Sequence, residues 1–486
     1  MDRSENNRPN ILFIMSDDHA YQAITAYNPT FPISTPGIDR LAKEGARLDR
    51  MFCTNSICAP SRACILTGNY NHLNGVRKLD NNFNGRLPNV AKSLQDEGYQ
   101  TAIIGKWHLG VKEPYLPTGF DHFEIFVNQG EYYNPRFITD EGIHIEYGYA
   151  TELVTEKSIS YIKNRDKDKP FFLMCHHKAP HRNWQPSPKY KNAFDKVNFP
   201  HPETYNDDYE SRGPAASKAA MRIDDLTQND FKEKKIPKGT KEEVRNWKFQ
   251  HYLADYTACI ASVDDSVAEL LESLEEEKIL DNTVVIYCSD QGFYMGEHGW
   301  FDKRFIYEES LRMPFLIRYP KEIEAGSVVN DLLLNIDFAD TFLDYAGARG
   351  KLKCQGESFR NVLKNHSKSD CNSDECAATA RNKGYDAVYY RYWDAPSEHY
   401  VFPHSGVRTE RYKLAKFIDI ENSDSIYYEL YDLEKDPNEL HNIFDKPEYS
   451  DIQNELFAKM EELRIKYEDN DPDDFYKVSI EDSNIK

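Results

Sequence analysis

Polar side chains that could do chemistry directly follow four short apolar segments of the sequence. In chain order they are Asp17 and Asp18; Lys106 and His108; His176, His177, Lys178 and His181; and Asp290 and Gln291. In a doubly wound sheet, ligands bind beyond the carboxyl ends of the strands. If the four segments are strands of one sheet, we expect these side chains at one edge. Carboxylates after two segments and cations after the other two indicate a functional site there.

Asp17, Asp18, Asp290 and Gln291 offer only oxygen ligands. Such a set favours Ca²⁺, or less readily Mg²⁺, over zinc. The alternative for the two adjacent aspartates is helix capping or solvation. A zinc site is the alternative for the histidines at 176, 177 and 181, which are close in sequence. Successive strand residues point to opposite faces, however, so we expect one of the first two histidines to be structural.

The segment CAPSRACILTG, residues 58–68, is the most specific part of the sequence. Pro60 is suited to begin a helix that Gly68 ends, with Ser61 and Arg62 in its first turn. Cys58 would then lie at a helix N-terminus, where N–H groups and the dipole favour an anion, and Arg62 adds a fixed positive charge. Two alternatives remain open for Cys58: a buried structural cysteine and a low-pKa thiolate nucleophile.

The elements that must position these residues follow from the hydrophobic pattern. Continuous apolar runs separated by amphipathic helices are typical of a mostly parallel sheet covered by helices on both faces. The predicted strands are Asn10–Met15, Gln100–Ile104, Pro170–Cys175, Thr283–Cys288 and Met313–Tyr319. The predicted helices are Pro36–Gly45 with Thr35 as N-cap, Leu87–Glu97 and Val244–Glu277. We therefore expect an α/β fold.

The pattern changes after about residue 385. Alternating, aromatic-rich segments at Val407–Phe417 and Tyr427–Leu433 precede a helical pattern at Ile452–Tyr467. We predict a catalytic α/β domain over 1–384 and a smaller C-terminal α+β subdomain, an antiparallel sheet with a helix, over 385–486. Two polar stretches, 200–243 and 365–383, are interpreted as surface insertions, with loops rimming the site as the alternative.

Charge and hydropathy exclude several classes of protein. The 486 residues contain 60 Lys and Arg against 81 Asp and Glu, a net charge of −21. Such a surface repels polyanions, which argues against nucleic-acid binding, and an anionic substrate would need a local cluster of cations. No apolar run approaches the roughly 20 residues of a membrane span. Met1–Pro9 shows no signal peptide. The nine cysteines form no CxxC pair, so most should be buried.

These motifs resemble a known family. CAPSRACILTG fits the C-x-P-S-R-x-x-x-x-T-G signature of the type I, formylglycine-dependent sulfatases of the alkaline-phosphatase superfamily. Further segments resemble that family in the family's order: PNILFIMSDDH, GKWHLG, KAPH, SDQGFYMGEHGWFDKR, GVRTERYKL and YELYDLEKDPNE. The SDQGF, GEHGWFDKRF and YYRYW stretches are similar to those of bacterial sulfatases that act on polysaccharides such as ulvan or glycosaminoglycans.

The resemblance implies a mechanism. A maturation system would oxidise Cys58 to formylglycine, whose hydrate binds Ca²⁺ and attacks sulfur through one hydroxyl. Loss of the proton from the other hydroxyl then expels sulfate. By resemblance, the metal ligands are Asp17, Asp18, Asp290, Gln291 and the modified Cys58; the other catalytic residues are Arg62, Lys106, His108, His181 and Lys303. Arg62 would hold the formylglycine, the lysines would neutralise sulfate oxygens, His108 would handle the hydrate's proton, and His181 would serve the leaving oxygen. The family commonly has asparagine where this chain has Gln291.

Three further residues are predicted substrate contacts: Lys178, Arg182 and His298. The alternatives are surface charges for the first two and loop structure for the third. Aromatic residues that could stack on sugars, or else form core, are Tyr132, Tyr133, Trp184, Tyr389, Tyr390, Tyr392 and Trp393.

The resemblance implies a periplasmic or secreted sulfatase of a sulfated polysaccharide or its oligosaccharides. Two alternatives are a phosphonate or phosphate ester hydrolase of the same superfamily and a catalytically silent sugar-binding protein. Cys58 within the CxPSR motif argues against the first, although some phosphonate monoester hydrolases also carry formylglycine. The complete set of catalytic side chains argues against the second.

Overall fold

A computed structural model describes residues 8–366, 383–422 and 425–477. Its strands, in chain order, are β1 Asn10–Ser16, β2 Ala46–Leu48, β3 Met51–Phe52, β4 Gln100–Gly105, β5 His122–Phe126, β6 Arg136–Thr139, β7 Gly142–Ile145, β8 Phe171–His176, β9 Thr283–Ser289, β10 Tyr294–Met295, β11 Phe301–Asp302, β12 Phe315–Arg318, β13 Ser327–Val329, β14 Leu333–Leu334, β15 Ala387–Tyr392, β16 His404–Thr409, β17 Tyr412–Asp419 and β18 Ser425–Asp432.

The helices cover both faces of the main sheet. In chain order they are α1 Pro36–Glu44, α2 Cys58–Thr67, α3 Asn71–Asn74, α4 Val90–Asp96, α5 Ala150–Asn164, α6 Pro214–Lys218, α7 Gln228–Phe231, α8 Lys241–Glu276, α9 Glu308–Leu311, α10 Asp337–Tyr345, α11 Arg360–His366 and α12 Ser450–Lys466. None of the described helices combines the length and apolar character needed to cross a membrane.

The main sheet has ten strands in the order β13-β2-β12-β9-β1-β8-β4-β5-β6-β7. Its centre is parallel: β1 pairs with β8 and β9, and β4 pairs with β8 and β5. Antiparallel pairs join β12 to β9 and to β2, β5 to β6, and β6 to β7. The predicted strands are confirmed within one or two residues at each end, and so is the mostly parallel α/β architecture.

Strand β1 explains why the predicted strands are apolar throughout. Leu12 and Ile14 belong to one hydrophobic core, which includes residues of α1, α5 and α8. Ile11 and Phe13 point to the opposite face and belong to a second core, which includes residues of α4 and α10. Because both faces of the strand are buried, positions 11–15 are all apolar, and the polar residues at its two ends, Asn10 and Ser16, are hydrogen-bonded.

Helix α1 begins at Pro36 as predicted, whereas the starts of α4 and α8 each differ from prediction by three residues. Helix α8 begins at Lys241 rather than at residue 244, because Thr240 forms a capping box with Glu243. Helix α4 begins three residues later than predicted, where the Asn89 side chain accepts from the Lys92 N–H. Thr35 precedes α1, but its side chain makes no capping bond. Its hydroxyl instead lies against Thr25 and Asp39.

The C-terminal part forms a four-stranded antiparallel sheet, β15-β16-β17-β18, with α12 against it. The predicted antiparallel sheet plus helix is confirmed. The segment 407–417, taken as one stretch, is in fact two strands that turn between Thr409 and Tyr412. The division at residue 384 stays a prediction.

The polar stretch 200–243 is not a surface insertion. Its apolar residues Ala215, Met221, Ile223, Leu226 and Phe231 are buried and belong to the same core as α8. Charged residues between them mask this apolar pattern in the sequence. Of the other stretch, 365–383, residues 367–382 lie outside the described part of the chain.

Candidate active site

The ends of two neighbouring strands bring the acidic residues together. Ser16 of β1 and Ser289 of β9 are register partners in a parallel pair, so the residues that follow them emerge side by side. The Asp290 N–H donates to the Ser16 carbonyl at 3.2 Å, and the Asp18 N–H donates to Asp290 Oδ1 at 3.2 Å. The topology therefore places Asp17, Asp18 and Asp290 at one point of the sheet edge.

The acidic residues form a cluster that fits a hard cation. Carboxylate oxygens of Asp17, Asp18 and Asp290 lie within 4.8 Å of one another, and all three side chains are fully buried. Oxygens bound to one Ca²⁺ at 2.3–2.6 Å lie at most about 5 Å apart. Gln291 donates its amide N–H to Asp18, while its Oε1 is buried without a hydrogen-bond partner. A buried oxygen without a hydrogen-bond partner beside three carboxylates fits a fourth oxygen ligand to a cation.

Three cations neutralise the cluster from different elements. Lys303 Nζ lies 2.6 and 2.7 Å from the two oxygens of Asp18. Lys106 Nζ contacts Asp17, and Arg62 contacts Asp290 Oδ2 through Nε at 3.0 Å and Nη2 at 2.8 Å. All three cations are at least 97% buried, because Arg62, the most exposed of them, is 3% exposed. Buried charges persist only when paired in this way.

The carboxylates differ in their affinity for protons. Burial raises the pKa of Asp18 to about 7, a shift that Lys303 opposes and Asp17 increases. Burial, together with Asp17, raises the pKa of Asp290 to about 6. For Asp17, burial also acts to raise the pKa, but Lys106, His181 and Arg62 together hold it well below its usual range. Without a metal, the site therefore retains protons near neutral pH.

Cys58 lies at the start of α2, beside the acidic cluster. Its Sγ is 3.4 Å from Asp17 Oδ1 and the residue is 1% exposed. Burial and the Asp17 carboxylate raise the pKa of the thiol, so the low-pKa thiolate alternative is wrong for the unmodified residue. Ser61 binds the Asp290 carbonyl through its hydroxyl, and Gly68 ends the helix at φ +67°.

The histidines do not converge on a zinc site. His176 Nδ1 lies 3.1 Å from the Lys106 carbonyl, whereas His177 Nε2 lies 3.0 Å from Ser266 Oγ on the opposite face of the sheet. His181 Nε2 lies 3.7 Å from Asp18 Oδ2. The alternation of the strand separates the first two, as expected, so they cannot share one metal ion. His108 is half-buried, and burial and Lys106 lower its pKa well below the usual value.

A cavity of about 950 Å³ opens above Cys58. Its lining includes Cys58, His181 and Lys303, residues of the 227–232 segment, and residues 398–399 that precede β16. Cys58, His181 and Lys303 therefore line a cavity whose other lining residues come from distant parts of the chain.

Comparison with known proteins identifies the family. The model of the Sulfatase family matches residues 9–348. The chain belongs to the sulfatase family. A second model, N-sulphoglucosamine sulphohydrolase, C-terminal, matches residues 296–466. The protein is therefore a sulfuric ester hydrolase, as its motifs predicted.

This sulfatase is similar to enzymes of sulfated glycans. It is 42% identical to the N-acetylglucosamine-6-O-sulfatase of Bacteroides thetaiotaomicron, over 97% of this chain and 89% of the relative. It is 26% identical to the ulvan-active sulfatase of Formosa agariphila, over 94% and 81%. A solved structure of a protein in complex with its substrate, D-glucosamine-2-N,6-O-disulfate, superposes with a TM-score of 0.88 and 42% identity, covering 96% of this chain and 99% of the other.

The sulfatase cavity contains two of the three predicted substrate contacts. Lys178 and Arg182 line it, and burial, with Lys106 nearby, lowers the pKa of Lys178 to about 8. His298 does not line the cavity: it is fully buried, 2.7 Å from Asp207 Oδ2 and 3.1 Å from Arg212 Nη2. The prediction that His298 contacts substrate is therefore wrong. Its contacts with Asp207 and Arg212 agree with the alternative, a role in the structure of the loop.

Most of the predicted sugar-stacking aromatics are core residues. Only Tyr132 and Tyr133 line the cavity. The other five, which do not line it, are buried: Trp184, Tyr389, Tyr390, Tyr392 and Trp393. Hydrophobic burial, rather than sugar binding, explains these five positions.

Several cavity residues were missed by sequence reasoning. Gln129 accepts from the Lys106 ammonium, and Asp302, Arg304 and His399 form an ion-pair group on the wall, with His399 Nε2 3.2 Å from Asp302 Oδ2. Asp302 and Arg304 flank Lys303 in the DKR motif, which was a usable signal. Nothing in the local sequence singles out Gln129 or His399.

Proposed function

We propose that this protein is a Ca²⁺- and formylglycine-dependent sulfatase that removes the 6-O-sulfate of glucosamine units in sulfated glycans. The observation that carries the proposal is the 42% identity to an N-acetylglucosamine-6-O-sulfatase over 97% of this chain. The clustered acidic and basic side chains below the cavity support the same reading. A formylglycine-dependent sulfatase needs a nucleophile and a binding site for a hard cation beside its substrate cavity, and these side chains could provide both.

The metal site is proposed from the donor set. Asp17, Asp18, Asp290 and the unpartnered Oε1 of Gln291 are all hard oxygen donors. Four such ligands suit Ca²⁺ better than zinc, and Ca²⁺ tolerates the longer glutamine side chain because its coordination is flexible. When bound, the cation supplies positive charge that polarises the nucleophile and a sulfate oxygen.

The nucleophile is proposed at position 58. The maturation system would oxidise Cβ of Cys58 to an aldehyde, with loss of the sulfur. The hydrated aldehyde would supply one hydroxyl to attack the sulfur of the substrate and a second to release the product. Arg62, held by Asp290 and by the Lys106 carbonyl at 2.9 Å, orients this end of α2. His108 is positioned near Lys106 and Asp17 to take a proton, since its low pKa keeps the imidazole neutral.

The remaining side chains act on the sulfate and the sugar oxygen. Lys106 and Lys303 each hold one aspartate and carry further N–H donors for sulfate oxygens. His181 lines the cavity and is 15% exposed, so its imidazole can reach the leaving oxygen. Burial lowers the pKa of His181 well below its usual value, although Asp17 opposes the shift, so the imidazole is neutral before substrate binds. We propose that it polarises the leaving oxygen, and protonates it once the bound sulfate has raised that pKa, as the S–O bond breaks. The cations also stabilise the negative charge that develops in the transition state.

We also propose a periplasmic or secreted location and a formylglycine-generating maturation system as a partner. Polymeric sulfated glycans are met outside the cytoplasm, and position 58 needs an enzyme to oxidise it. The SR of the CAPSR motif, Ser61 and Arg62, lies within the segment such a system would recognise before folding.

Mass spectrometry of the peptide that contains Cys58 tests the proposal. We expect a mass about 18 Da below that of the cysteine form, in proportion to activity on N-acetylglucosamine-6-sulfate. Cys58→Ala should abolish turnover without lowering the unfolding temperature by more than a few degrees. Cys64→Ala, which removes a buried thiol from the same helix, is the matched control and should retain turnover. Full activity of a protein with an unmodified Cys58 thiol would rule out the mechanism.

A further inference from the structure

We propose that Arg182 is a specificity-determining residue that binds a second anionic group of the substrate, and that Glu398 occupies this place in the free enzyme. The inference rests on the proposed function, because it concerns a second charge on the same sulfated glycan. It differs from that function in needing a contact that the hydrolysed sulfate does not use.

Arg182 is held by a buried carboxylate of the 200–243 stretch. Its Nε lies 2.6 Å from Asp230 Oδ1 and its Nη2 lies 3.0 Å from Asp230 Oδ2, a two-pronged pair. Asp230 is fully buried and also accepts from Asn183 and from the backbone and hydroxyl of Thr227. Because these donors hold both oxygens of Asp230, its carboxylate cannot rotate. The two bonds to Arg182 therefore keep the guanidinium in one orientation.

The free edge of the guanidinium faces the cavity. Its carbon lies 4.9 Å from the centre of the Phe301 ring, which supports one face of the plane. Nη1 forms no hydrogen bond with any residue in the described ranges. Arg182 is 19% exposed and lines the same cavity as Cys58 and Lys303. A fixed cation with unused donors in a substrate cavity is a ready anion site.

Glu398 is the anion that faces this edge in the free enzyme. Its Oε1 lies 3.8 Å from Arg182 Nη1, too far for a hydrogen bond but close enough for attraction. Its side chain is 74% exposed, so it can turn towards solvent at little cost. Glu398 belongs to the segment between β15 and β16 and lines the same cavity as Arg182. A substrate anion would therefore replace Glu398 rather than join it.

The hydrolysed sulfate is not a candidate for this contact. Lys106 and Lys303, which would neutralise it, are 0% and 2% exposed and are paired with Asp17 and Asp18. Arg182 is paired with Asp230 instead and is 19% exposed, so its guanidinium is available to a second substituent of the sugar or of its neighbour. Lys178, which is 7% exposed and lines the same cavity, adds a second positive charge without any ion pair within the described part of the chain. The matching ligand is a second sulfate or a carboxylate.

Removal of Glu398 should improve binding of doubly charged substrates. Glu398→Gln is expected to lower KM for glucosamine-2-N,6-O-disulfate about threefold, because the competing carboxylate is lost. KM for N-acetylglucosamine-6-sulfate, which has no second anion, should change by less than about 1.5-fold. Glu410→Gln makes the same charge change at a side chain that is 80% exposed and outside the cavity, and should alter neither value.

Changes at Arg182 should act in the opposite direction. Arg182→Gln is expected to raise KM for the disulfate about tenfold, with kcat little changed. Asp230→Asn should give a smaller increase for the same substrate, since the cation remains but loses its fixed orientation. A disaccharide that joins a hexuronate to N-acetylglucosamine-6-sulfate carries a carboxylate in place of the second sulfate. If Arg182 binds a sulfate, KM should change in Glu398→Gln and Arg182→Gln for the disulfate alone. If it binds a carboxylate, KM should change for the disaccharide alone.

Equal effects of Glu398→Gln on singly and doubly charged substrates would overturn the inference. So would an unchanged KM for every anionic substrate in Arg182→Gln. Absence of turnover of any 6-sulfated glucosamine by the native enzyme would instead contradict the proposed function. Because Glu398 is 74% exposed, Glu398→Gln should fold normally. It therefore tests the inference even if Arg182→Gln fails to fold.

Discussion

At the scale of single residues, the site consists of opposite charges that are buried together. Asp17, Asp18 and Asp290 repel one another, and each is paired with one cation. A buried carboxylate that lacks sufficient positive charge retains its proton. The raised pKa values of Asp18, about 7, and Asp290, about 6, show that the three cations alone do not provide enough. A divalent cation would supply the remainder.

We therefore expect the stabilising effect of Ca²⁺ to depend on pH. Folded pKa values above the usual 3.9 mean that the metal-free folded state binds protons more tightly than the unfolded chain, so its stability falls as pH rises from about 4 to about 7. Ca²⁺ must displace these protons at pH 5 but not at pH 8. The gain in unfolding free energy on adding Ca²⁺ should be about 4 kcal/mol larger at pH 8, because pH 5 lies about two units below the pKa of Asp18 and about one below that of Asp290.

Thermal unfolding with Ca²⁺ or with a chelator, at both pH values, measures this difference. Asp290→Asn removes one of the two raised groups and should reduce the pH dependence as well as the gain. An identical gain at pH 5 and pH 8 would contradict the assignment of these carboxylates as ligands.

At the scale of elements, parallel strands deliver the reactive groups to one edge. Strand β4 must end tightly against β8 for Lys106 to reach Asp17. Gly105, its last residue, has φ +102°, and a Cβ there would strike the His176 carbonyl oxygen on β8. Glycine is therefore required both for the backbone conformation and for the close approach of the strands.

Gly105→Ala is expected to cost about 3 kcal/mol of folding free energy and to reduce turnover strongly, since it displaces the following lysine. Gly142→Ala is the matched control: Gly142 also has a positive φ, +115°, but an added Cβ would meet nothing within 4 Å. The control should cost only about 1 kcal/mol and leave kcat unchanged. Denaturant unfolding and kcat would be measured for both, and equal losses would refute the role of the strand contact.

At the scale of the whole molecule, the segment 469–471, which follows α12, contacts both the four-stranded sheet β15–β18 and the region after α3. Asp469 lies 2.7 Å from Arg391 Nη1 and accepts from the Tyr389 hydroxyl at 2.7 Å, both on β15. Asp471 binds Arg77, which follows α3. Because the segment before β16 also supplies Glu398 and His399 to the cavity, the position of this sheet affects the substrate site.

Asp469→Ala should destabilise the protein by about 3–5 kcal/mol, because it leaves the buried Arg391 without its partner. Burial raises the pKa of Asp469, but Arg391 lowers it further, so the net shift is downward. The contribution of this pair is therefore present above about pH 4 and is lost as pH falls below it. Glu461→Ala, which breaks an exposed pair with Arg464, should cost less than about 1 kcal/mol. Comparable losses for the two variants in chemical unfolding would contradict this reading.

The sequence by itself determined the strand cores, the α2 motif and the carboxylates that follow β1 and β9. These are local features: a strand buried on both faces must be apolar along its length, and polar residues directly after it must lie at the sheet edge. The positions of Asp17, Asp18, Lys106 and Asp290 could be predicted for this reason. The starts of α4 and α8 differed by three residues because capping side chains such as Thr240 decide them.

Only the tertiary structure decided which distant residues meet. Asp230 holds Arg182 from 48 residues away, Glu398 faces it from the small sheet, and His298 turns inward to Asp207. Each contact joins segments whose local sequences are ordinary polar loops, so neither periodicity nor composition marks them. Their partners are set by chain topology and by the requirement that buried charges be paired, and these are properties of the assembled molecule rather than of any one segment.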